Sequence, residues 1–511
     1  MLSKVYGSAV FGVEAYTITV EVNVDNGIGY HLVGLPDNAV KESNFRIAAA
    51  LQNNGYKIPG KNIIINMSPA DMRKEGAAYD LTLAIGILSA SEQIKSPDLE
   101  SYIVMGELSL DGSLKPIKGV LPIAIRALEE NFSGFIIPKQ NAKEAAIVKG
   151  LAIYAAEHIS DVINHFDKNI SLEKIEFDIQ KELDSALSQP KFDFADVKGQ
   201  ESIKRCMEIA AAGGHNIILI GPPGSGKTML AKRLPSILPP MTIEEALETT
   251  KIHSVVGRLR QSAGLLTERP FRSPHHTISD VALVGGGQYP QPGEISMAHN
   301  GVLFLDELTE FKRSVLEVMR QPLEDLEVTI SRARFTVTYP SSFMLVASMN
   351  PSPSGFFYDP SSAVSASKGE IQRYMGKISG PLLDRIDMHL EVSAVPFEKL
   401  IQKRRGESSL LIRERVIRAR ALQTKRFASI KSVHYNAQMQ SKQIREFCKL
   451  KKASKSLLKT AMERLNLSAR AYDRILKVAR TIADLEAHKK IHSKHISEAI
   501  QYRSLDREGW I

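Results

Sequence analysis

The chain has 511 residues, 43% of them hydrophobic, which is enough to bury the cores of about three domains. No apolar stretch approaches the length of a membrane span, and the first residues lack the charged-then-apolar pattern of a secretory signal. Cys206 and Cys448 are the only cysteines, so the sequence supports neither a disulfide framework nor a cysteine zinc site. We therefore expect a cytoplasmic protein with no membrane partner.

The net charge of +9 is placed unevenly along the chain. Residues 401–511 hold 27 Lys and Arg against 10 Asp and Glu, whereas residues 1–400 are net negative. A basic block favours binding to a polyanion, although a helical face of solvated lysines gives the same count. Charge alone leaves both interpretations open.

The first 160 residues alternate strand-like and helix-like segments. Residues 16–24 alternate in polarity and run into Asp25-Asn26-Gly27, which predicts a hairpin. Asp37 is a candidate cap for a helix through residues 45–51. Residues 62–66 read as a strand, and residues 81–90 as a helix. From 161 to 193 the chain is polar and charged, which predicts a linker.

A phosphate-loop motif follows this linker. The apolar run at 216–220 leads into a segment that fits G-x-x-x-x-G-K-[ST] at every fixed position, and a glycine-rich turn is the much weaker alternative. Its backbone N–H groups would surround phosphates, its lysine would reach the terminal phosphates, and its last hydroxyl would ligate Mg2+. The predicted cofactors are ATP and Mg2+, and the predicted binding residues are Gly221, Pro222, Pro223, Gly224, Ser225, Gly226, Lys227 and Thr228.

Two adjacent carboxylates end a second apolar strand. Residues 301–305 read as a buried strand, and Asp306 and Glu307 follow directly. Because the carboxyl ends of parallel strands face the nucleotide, Asp306 is predicted to share the Mg2+ with Thr228, and Glu307 to orient the attacking water. Alone, such a pair would more simply be a solvated strand end; after a phosphate loop, a catalytic pair is favoured.

The C-terminal part of the chain is predicted to be an α-helical domain. Five segments there carry helical spacing. They are residues 410–427, 441–449, 457–465, 471–485 and 493–502.

The order of motifs resembles the AAA+ ATPases, which are ring-forming molecular motors. In this resemblance, which begins at residues 196–200, Asn350 matches the polar residue of the sensor-1 strand. Arg385 matches the arginine finger of the magnesium-chelatase and minichromosome-maintenance branch, although a salt bridge to Asp384 or Asp387 explains it equally well from sequence alone. A guanidinium contacts several phosphoryl oxygens at once, and a finger supplied by a neighbouring subunit requires a ring.

A second arginine resembles the sensor-2 position of these ATPases. Arg470, in Leu467-Ser468-Ala469-Arg470, is the match, and it is expected to contact the phosphates bound by its own subunit. Arg474, one helical turn later, is the main rival. The predicted catalytic set is therefore Lys227, Asp306, Glu307, Asn350, Arg385 and Arg470.

Over almost its whole length, the chain resembles the YifB/ComM family. The stretches that carry this resemblance are residues 269–277, 282–287, 320–324 and 469–472. It implies an α/β protein with a Lon-protease-like α+β domain at 1–160, a linker at 161–193, a three-layer AAA+ P-loop core of magnesium-chelatase type at 194–395 and a basic helical lid domain at 396–511.

Two departures from related patterns limit the chemistry. Ala78 and Leu121 stand where Lon proteases have their catalytic serine and lysine, so we expect no peptidase activity; Ser68 and Lys118 are poor substitutes. Many family members carry four cysteines after the sensor-1 strand. The aligned residues here are Ser352, Ser354, Val364 and Ala366, so no zinc is expected. His275 and His276 should point to opposite sides of an extended chain, which favours a structural or DNA-facing loop over a metal pair.

The substrate is expected to be DNA. Residues 327–339 read as two alternating strands about a basic turn, from which Arg332 and Arg334 would contact phosphates without reading sequence; a hairpin salt-bridged to another subunit is the alternative. The resemblance implies a hexameric helicase that drives branch migration in recombination or natural transformation. A chelatase-like ATPase acting on a porphyrin and a regulatory protein-remodelling ATPase are the other hypotheses.

Overall fold

The computed structural model describes the chain except residues 96–97, 168–169, 187–191, 260–263, 288, 333–334, 354, 356–367, 394, 396–405, 431–432, 504 and 506–511. The chain divides into two units. The first comprises Met1–Ser185 and Thr242–Thr267, and the second Ala186–Met241 and Glu268–Ile511. Among the described residues, no helix is long and apolar enough to cross a membrane.

The first unit is built on a mixed eight-stranded sheet with the order β10-β9-β8-β5-β1-β2-β4-β3. Side chains alternate between the two faces of β2, so Ile18, Val20, Val22 and Val24 are buried on one face. This face forms the core with neighbouring helices. The strands are β1 (Leu2–Phe11), β2 (Glu14–Asp25), β3 (Gly29–Val33), β4 (Asn62–Ser68), β5 (Tyr102–Val104), β8 (Gly134–Pro138), β9 (Ala152–Ala156) and β10 (Glu173–Lys174), with β6 (Glu107–Leu108) and β7 (Leu114–Lys115) pairing separately.

Two local predictions in this unit need correction. The turn at Asp25-Asn26-Gly27 does not close a hairpin, because β2 pairs with β1 and β4, and β3 lies parallel to β4 at the sheet edge. Asp37 does cap a helix, accepting a hydrogen bond from the N–H of Val40 at 2.8 Å, but this is a short helix that precedes the longer predicted one. Local patterns predict the turn and the cap, whereas the pairing depends on distant residues.

Helices cover the sheet of the first unit. They are Asn38–Lys41, Ser43–Asn53, Asp80–Ala90, Val120–Glu129, Lys139–Ala145, Ile159–Asp167, Ile179–Ala186 at the unit boundary, and Ile243–Val256. The last is separated from the others in sequence by the phosphate loop, and begins at a capping box formed by Thr242 and Glu245. Part of the chain that follows the phosphate loop therefore belongs to the first unit.

The second unit contains a parallel five-stranded sheet with the order β12-β15-β18-β11-β19. Its strands are β11 (Ile217–Ile220), β12 (Phe271–Arg272), β15 (Val302–Leu305), β18 (Met344–Met349) and β19 (Met388–Glu391). β11, β15 and β18 are buried along their whole length, as expected of strands covered on both faces. All carboxyl ends therefore lie at one edge of the sheet.

Two small hairpins and a set of helices complete the second unit. The hairpins are β13 (Gly285–Gly286) with β14 (Gln291–Pro292), and β16 (Glu327–Arg332) with β17 (Phe335–Pro340). The helices are Glu201–Gly213, Lys227–Arg233, Asp280–Val284, Glu294–Met297, Arg313–Glu317, Arg320–Asp325, Lys368–Met375, Gly380–Leu383, Ser409–Phe427, Ser441–Phe447, Lys452–Arg464, Ala469–Leu485 and Ser493–Gln501.

The predicted mixed α/β fold with a parallel sheet at the phosphate loop is confirmed. The five predicted C-terminal helices are present, with boundaries that differ by a few residues. The hairpin predicted at 327–339 is also present.

Candidate nucleotide-binding site

The phosphate loop joins β11 to the helix Lys227–Arg233. Gly224 and Gly226 have φ values of +77° and +88°, a conformation that side chains disfavour. At Gly221, a Cβ atom would lie 2.2 Å from the carbonyl oxygen of Val392, so only glycine fits against the backbone of Val392. The buried hydroxyl of Ser225 has no hydrogen-bond partner among the described residues. The glycines thus shape a turn whose backbone and hydroxyl donors suit an anion.

Lys227 is held at the mouth of this loop. Its Nζ donates to the carbonyl oxygens of Gly221 at 2.7 Å and Pro222 at 3.0 Å, and to Oδ1 of Asn350 at 3.3 Å. Burial lowers the pKa of Lys227, and the nearby Asp306 and Glu307 oppose that effect. Asn350, at the end of β18, therefore lies beside the phosphate loop.

Thr228 and Asp306 converge in a way that fits Mg2+. The Thr228 hydroxyl donates to Oδ2 of Asp306 at 2.7 Å, and the Ser348 hydroxyl donates to the other carboxylate oxygen. Hydroxyl and carboxylate oxygens are the hard ligands that Mg2+ prefers, and the remaining positions would be filled by water and phosphate. Ser348, on β18 between the other two strands, was not predicted, because only the strand order brings it to Asp306.

Glu307 has a constrained backbone and an accessible side chain. Its φ of +54° is unusual for a residue with a side chain, and its N–H donates to the Ser348 hydroxyl at 3.2 Å. The carboxylate is 56% exposed and lies 3.8 Å from Nδ1 of His276. Its exposure leaves the carboxylate accessible to water.

The expectation that His275 and His276 point apart is wrong. Their ring centroids are 4.1 Å apart with a tilt of 34°. The chain turns here, since the N–H of Ile278 donates to the carbonyl oxygen of His275 at 3.0 Å, so the alternation of an extended chain does not apply. His276 thereby reaches the Glu307 side chain, a contact that no sequence pattern predicts.

Gln200 is a second residue that sequence reasoning did not assign. Its amide Nε2 donates to the carbonyl oxygens of Ser225, at 3.1 Å, and Ser393, at 3.3 Å. It thus ties the phosphate loop to the segment after β19. Its place in the stretch 196–200, where the AAA+ resemblance begins, is the signal that could have identified it.

Arg385 lies at the sheet edge opposite its own phosphate loop. Its carbonyl oxygen accepts from Nδ2 of Asn216, just before the amino end of β11, whereas the loop follows the carboxyl end. Its guanidinium contacts Glu324 at 2.5 Å and the carbonyl oxygen of Pro381 at 2.6 Å. Neither Asp384 nor Asp387 is its salt-bridge partner among the contacts described.

Arg470 lies at the same edge, and its contact with the nucleotide of its own subunit stays a prediction. The helix that begins with Ala469 packs near the amino end of β19, and Arg470 donates to the carboxylate of Asp384, the residue next to Arg385. Arg470 is 70% exposed. Arg474 is the more buried of the two rivals and contacts Asp387 at 2.9 Å.

A buried polar cluster attaches this helix to the sheet. Asp387 accepts from His215 Nδ1 at 2.9 Å, and His215 Nε2 lies 2.8 Å from the Thr481 hydroxyl. Burial opposes ionisation of Asp387, but Arg474 and His215 outweigh it and hold the pKa of Asp387 well below its ordinary range. Burial also lowers the pKa of His215. The helical segment is therefore anchored by a paired buried charge.

The structure describes one of the two predicted DNA-contact residues, Arg332. Arg332 is exposed at the end of β16, and its guanidinium lies against Gly286 of the other hairpin. The hydroxyl of Tyr339 donates to the carbonyl oxygen of Pro290 at 2.8 Å, which joins the two hairpins. Arg334 lies outside the described residues, as do Ser354, Val364 and Ala366, while Ser352 is buried.

In the first unit, the positions matched to the Lon dyad hold apolar side chains. Ala78 is half-buried in a short turn, and Leu121 is buried in the helix Val120–Glu129. Glu144 accepts from the N–H of Leu121 at 3.0 Å and from the hydroxyl of Ser254 at 2.5 Å. Burial raises the pKa of Glu144. The helix Ile243–Val256, which carries Ser254, thus docks at the start of the helix that holds Leu121.

Comparisons with known proteins agree with this arrangement. Sequence models described as "Magnesium chelatase, subunit ChlI", "Subunit ChlI of Mg-chelatase" and "Magnesium chelatase, subunit ChlI C-terminal" match residues 193–400, 20–141 and 406–503. The competence protein ComM of Haemophilus influenzae is 44% identical over 508 residues, covering 99% of this chain and 98% of that protein. YifB of Escherichia coli is 43% identical over 510 residues, covering 99% and 98%.

A more distant similarity links the chain to the chelatases themselves. The magnesium-chelatase 38 kDa subunit of Rhodobacter capsulatus is 24% identical over 192 residues, which cover 34% of this chain and 54% of that protein. The near-complete matches to ComM and YifB, together with the three chelatase-type models, show that the chain belongs to the YifB/ComM family of magnesium-chelatase-like AAA+ proteins.

Proposed function

We propose that this protein hydrolyses ATP with Mg2+ at the site formed by the phosphate loop, Asp306, Glu307 and Asn350. The observation that carries the proposal is the convergence of Lys227, Thr228, Asp306 and Asn350 at the carboxyl edge of one parallel sheet. Mg2+ supplies neutralisation of phosphate charge when bound. With the nucleotide and the ion bound, Lys227 would contact the terminal phosphates, Thr228 and Asp306 would hold the ion, and Glu307 would accept a hydrogen bond from the attacking water.

The site is completed by a neighbouring subunit. Arg385 and Arg470 lie on one surface, at the edge opposite their own phosphate loop. In a head-to-tail ring, that surface would face the phosphate loop of the next subunit, and its guanidinium groups would stabilise the charge that develops during hydrolysis. We therefore propose that the protein forms a ring, by resemblance a hexamer.

DNA is the proposed substrate, and branch migration in recombination or natural transformation is the proposed activity. Arg332 is exposed on a hairpin that is joined to the glycine-rich loop at 285–292, and the C-terminal region is strongly basic. Such contacts bind phosphates without reading sequence, which suits a motor that moves along DNA. The name of one relative, the competence protein ComM, supports this proposal.

The first unit is proposed to be a non-catalytic relative of Lon protease that serves packing or assembly, with the C-terminal helices as the lid of the ATPase. Ala78 cannot attack a peptide bond, and Leu121 cannot accept a proton. The buried hydrogen bond from Ser254 to Glu144 supports a structural role for this region.

The discriminating experiment compares stimulation of ATP hydrolysis by three kinds of substrate. Forked or single-stranded DNA is expected to raise turnover. Stimulation by a porphyrin with chelatase partner subunits, and none by DNA, would favour the chelatase-like alternative. Stimulation by unfolded protein alone would favour a protein-remodelling ATPase.

A further inference from the structure

Exposed lysines from two separate segments of the C-terminal helical region come together on one surface. In residues 449–455 and 488–494, every charged or titratable side chain is a lysine or a histidine. The structure describes both segments in full, and every lysine in them is exposed. We call this surface the paired lysine patch, and its members are Lys449, Lys451, Lys452, Lys455, Lys489, Lys490 and Lys494.

A backbone bridge joins the two segments. Leu450 pairs with Ile491 in parallel, and the hydroxyl oxygens of Ser454 and Ser493 lie 3.1 Å apart. Ile491 is buried and Leu450 is half-buried. Because successive residues of an extended chain face opposite sides, the residues that flank this bridge face the solvent together. They are Lys449, Lys451, Lys490 and His492.

A buried arginine fixes the backbone of the second segment. The guanidinium of Arg480 donates to the carbonyl oxygens of His488 at 2.5 Å and Lys489 at 3.0 Å. It also pairs with the buried carboxylate of Asp484 at 3.0 Å. The backbone that carries the lysines is therefore held in place before any partner binds, which lowers the entropic cost of binding.

Folding stability does not explain this arrangement of charge. Lys451 precedes the helix Lys452–Arg464 without a capping side-chain bond, and Lys494 lies in the first turn of the helix Ser493–Gln501. A cation at a helix N-terminus opposes the helix dipole, so these positions disfavour lysine unless an anion is present. Lys494 contacts Glu486 at 2.5 Å, but in the part of the chain that the structure describes the other six lysines have no ion-pair partner. The patch is therefore suited to an anionic partner.

The side chains that are present select the kind of anion. The two segments contain no Phe, Tyr or Trp, which surfaces that bind single strands use to stack bases. They also expose none of the large apolar side chains that insert into a membrane surface. Ammonium groups bind phosphates as point charges and read no sequence. The dense, regular phosphate backbone of a DNA duplex matches such a surface.

We propose that the paired lysine patch binds the phosphate backbone of double-stranded DNA, as a contact separate from the hairpin that carries Arg332. The hairpin engages the strand that is moved, and the patch holds a duplex arm of the same DNA. This inference rests on the proposed function, because it takes DNA as the substrate.

The test measures the affinity of the full chain for a labelled blunt duplex and for a single strand of the same length. Fluorescence anisotropy is recorded across a salt series, with a non-hydrolysable ATP analogue held constant. The patch variant is Lys451→Gln/Lys452→Gln/Lys490→Gln. The matched control, which removes the same charge from three exposed lysines of the first unit, is Lys41→Gln/Lys57→Gln/Lys61→Gln.

The patch variant should bind the duplex with a weaker salt dependence. Each lost phosphate contact lowers the slope of log affinity against log salt by about 0.9, so the slope should be shallower by about two to three units. The control should keep the wild-type slope, and the slope for the single strand should change by less than about one unit. The free energy of unfolding of the patch variant should not fall, since lysines at helix N-termini do not stabilise the helices.

The possible failures are distinguishable. A wild-type slope for duplex in the patch variant overturns the role of the patch, while binding of DNA by the wild type keeps DNA as the substrate. An equal fall for duplex and single strand overturns the assignment to a duplex. A lower free energy of unfolding gives these lysines a structural role and overturns the proposal as well.

A wild type that binds no DNA overturns both the patch proposal and the proposed substrate. If the wild type then binds vesicles of phosphatidylcholine and phosphatidylglycerol, and the patch variant does not, the partner of the patch is an anionic membrane surface instead.

Discussion

The position of Arg385 predicts that two inactive variants restore each other's activity. Arg385 precedes β19 at the amino edge, and the phosphate loop follows β11 at the carboxyl edge. The four residues of β11 alone separate these edges by about 13 Å, at about 3.3 Å per residue. A contact with the nucleotide of the same subunit would have to span at least that distance, whereas a contact with the next subunit in a ring would not.

The expected recovery follows from counting interfaces. Arg385→Ala and Lys227→Ala should each reduce turnover by orders of magnitude, since removal of an arginine finger alone costs about a thousandfold or more. In an equal mixture, an interface is active only when an Arg385→Ala chain supplies the phosphate loop and a Lys227→Ala chain supplies the arginine. Random assembly makes about one quarter of the interfaces active, whatever the ring size.

The assay is ATP turnover at several mixing ratios, with subunit exchange verified by energy transfer between labelled chains. Activity should be greatest at the equal mixture and fall to the level of the single variants at either end. Glu324→Gln is the matched control, because it removes the partner of Arg385 within the chain while leaving the arginine in place. If no mixing ratio restores ATP turnover although subunit exchange is verified, the proposed role of Arg385 across the subunit interface is refuted.

Further predictions concern binding, DNA contact and stability. Lys227→Ala should weaken ATP binding, whereas Glu307→Gln should bind ATP but not hydrolyse it; full turnover by the latter would remove its assigned role. Arg332→Ala should lower the slope of log affinity for DNA against log salt by about one unit, and an unchanged slope would make the hairpin structural. Asp387→Asn should lower the free energy of unfolding, measured by denaturant titration, by about 3 kcal/mol or more, because it breaks a buried ion pair. The control Glu463→Gln, which breaks an exposed ion pair, should lower it by at most about 0.5 kcal/mol. Because the folded pKa of Asp387 is depressed, its contribution should be present above about pH 4 and be lost as the pH falls further; a stability difference that does not change with pH would contradict this.

The phosphate-binding and carboxylate residues of the site could be predicted from the sequence because each group lies within one short segment. The phosphate loop and the Asp306-Glu307 strand each place their functional groups at a strand end, and parallel pairing then brings the ends together. Asn350 is predicted from its match to the sensor-1 position of the AAA+ ATPases, and it directly follows β18.

Other features depend on contacts between residues far apart in sequence. Ser348 reaches Asp306 only because β18 lies between β11 and β15, and His276 reaches Glu307 only because the chain turns after His275. The edge at which Arg470 lies could not be predicted, for the same reason. The charges that decide it, such as Asp384, are more than eighty residues away and leave no periodic signal in either segment.

The proposed function requires that ATP hydrolysis at this site drives the movement of DNA junctions. The most direct measurement is the conversion of a labelled synthetic four-way junction into its forked products by the full chain with ATP and Mg2+. Conversion should require hydrolysable ATP, should fail with Glu307→Gln and should decline as salt weakens phosphate contacts. Wild-type protein that hydrolyses ATP but converts no junction, or a Glu307→Gln variant that converts junctions as fast as wild type, would contradict the account.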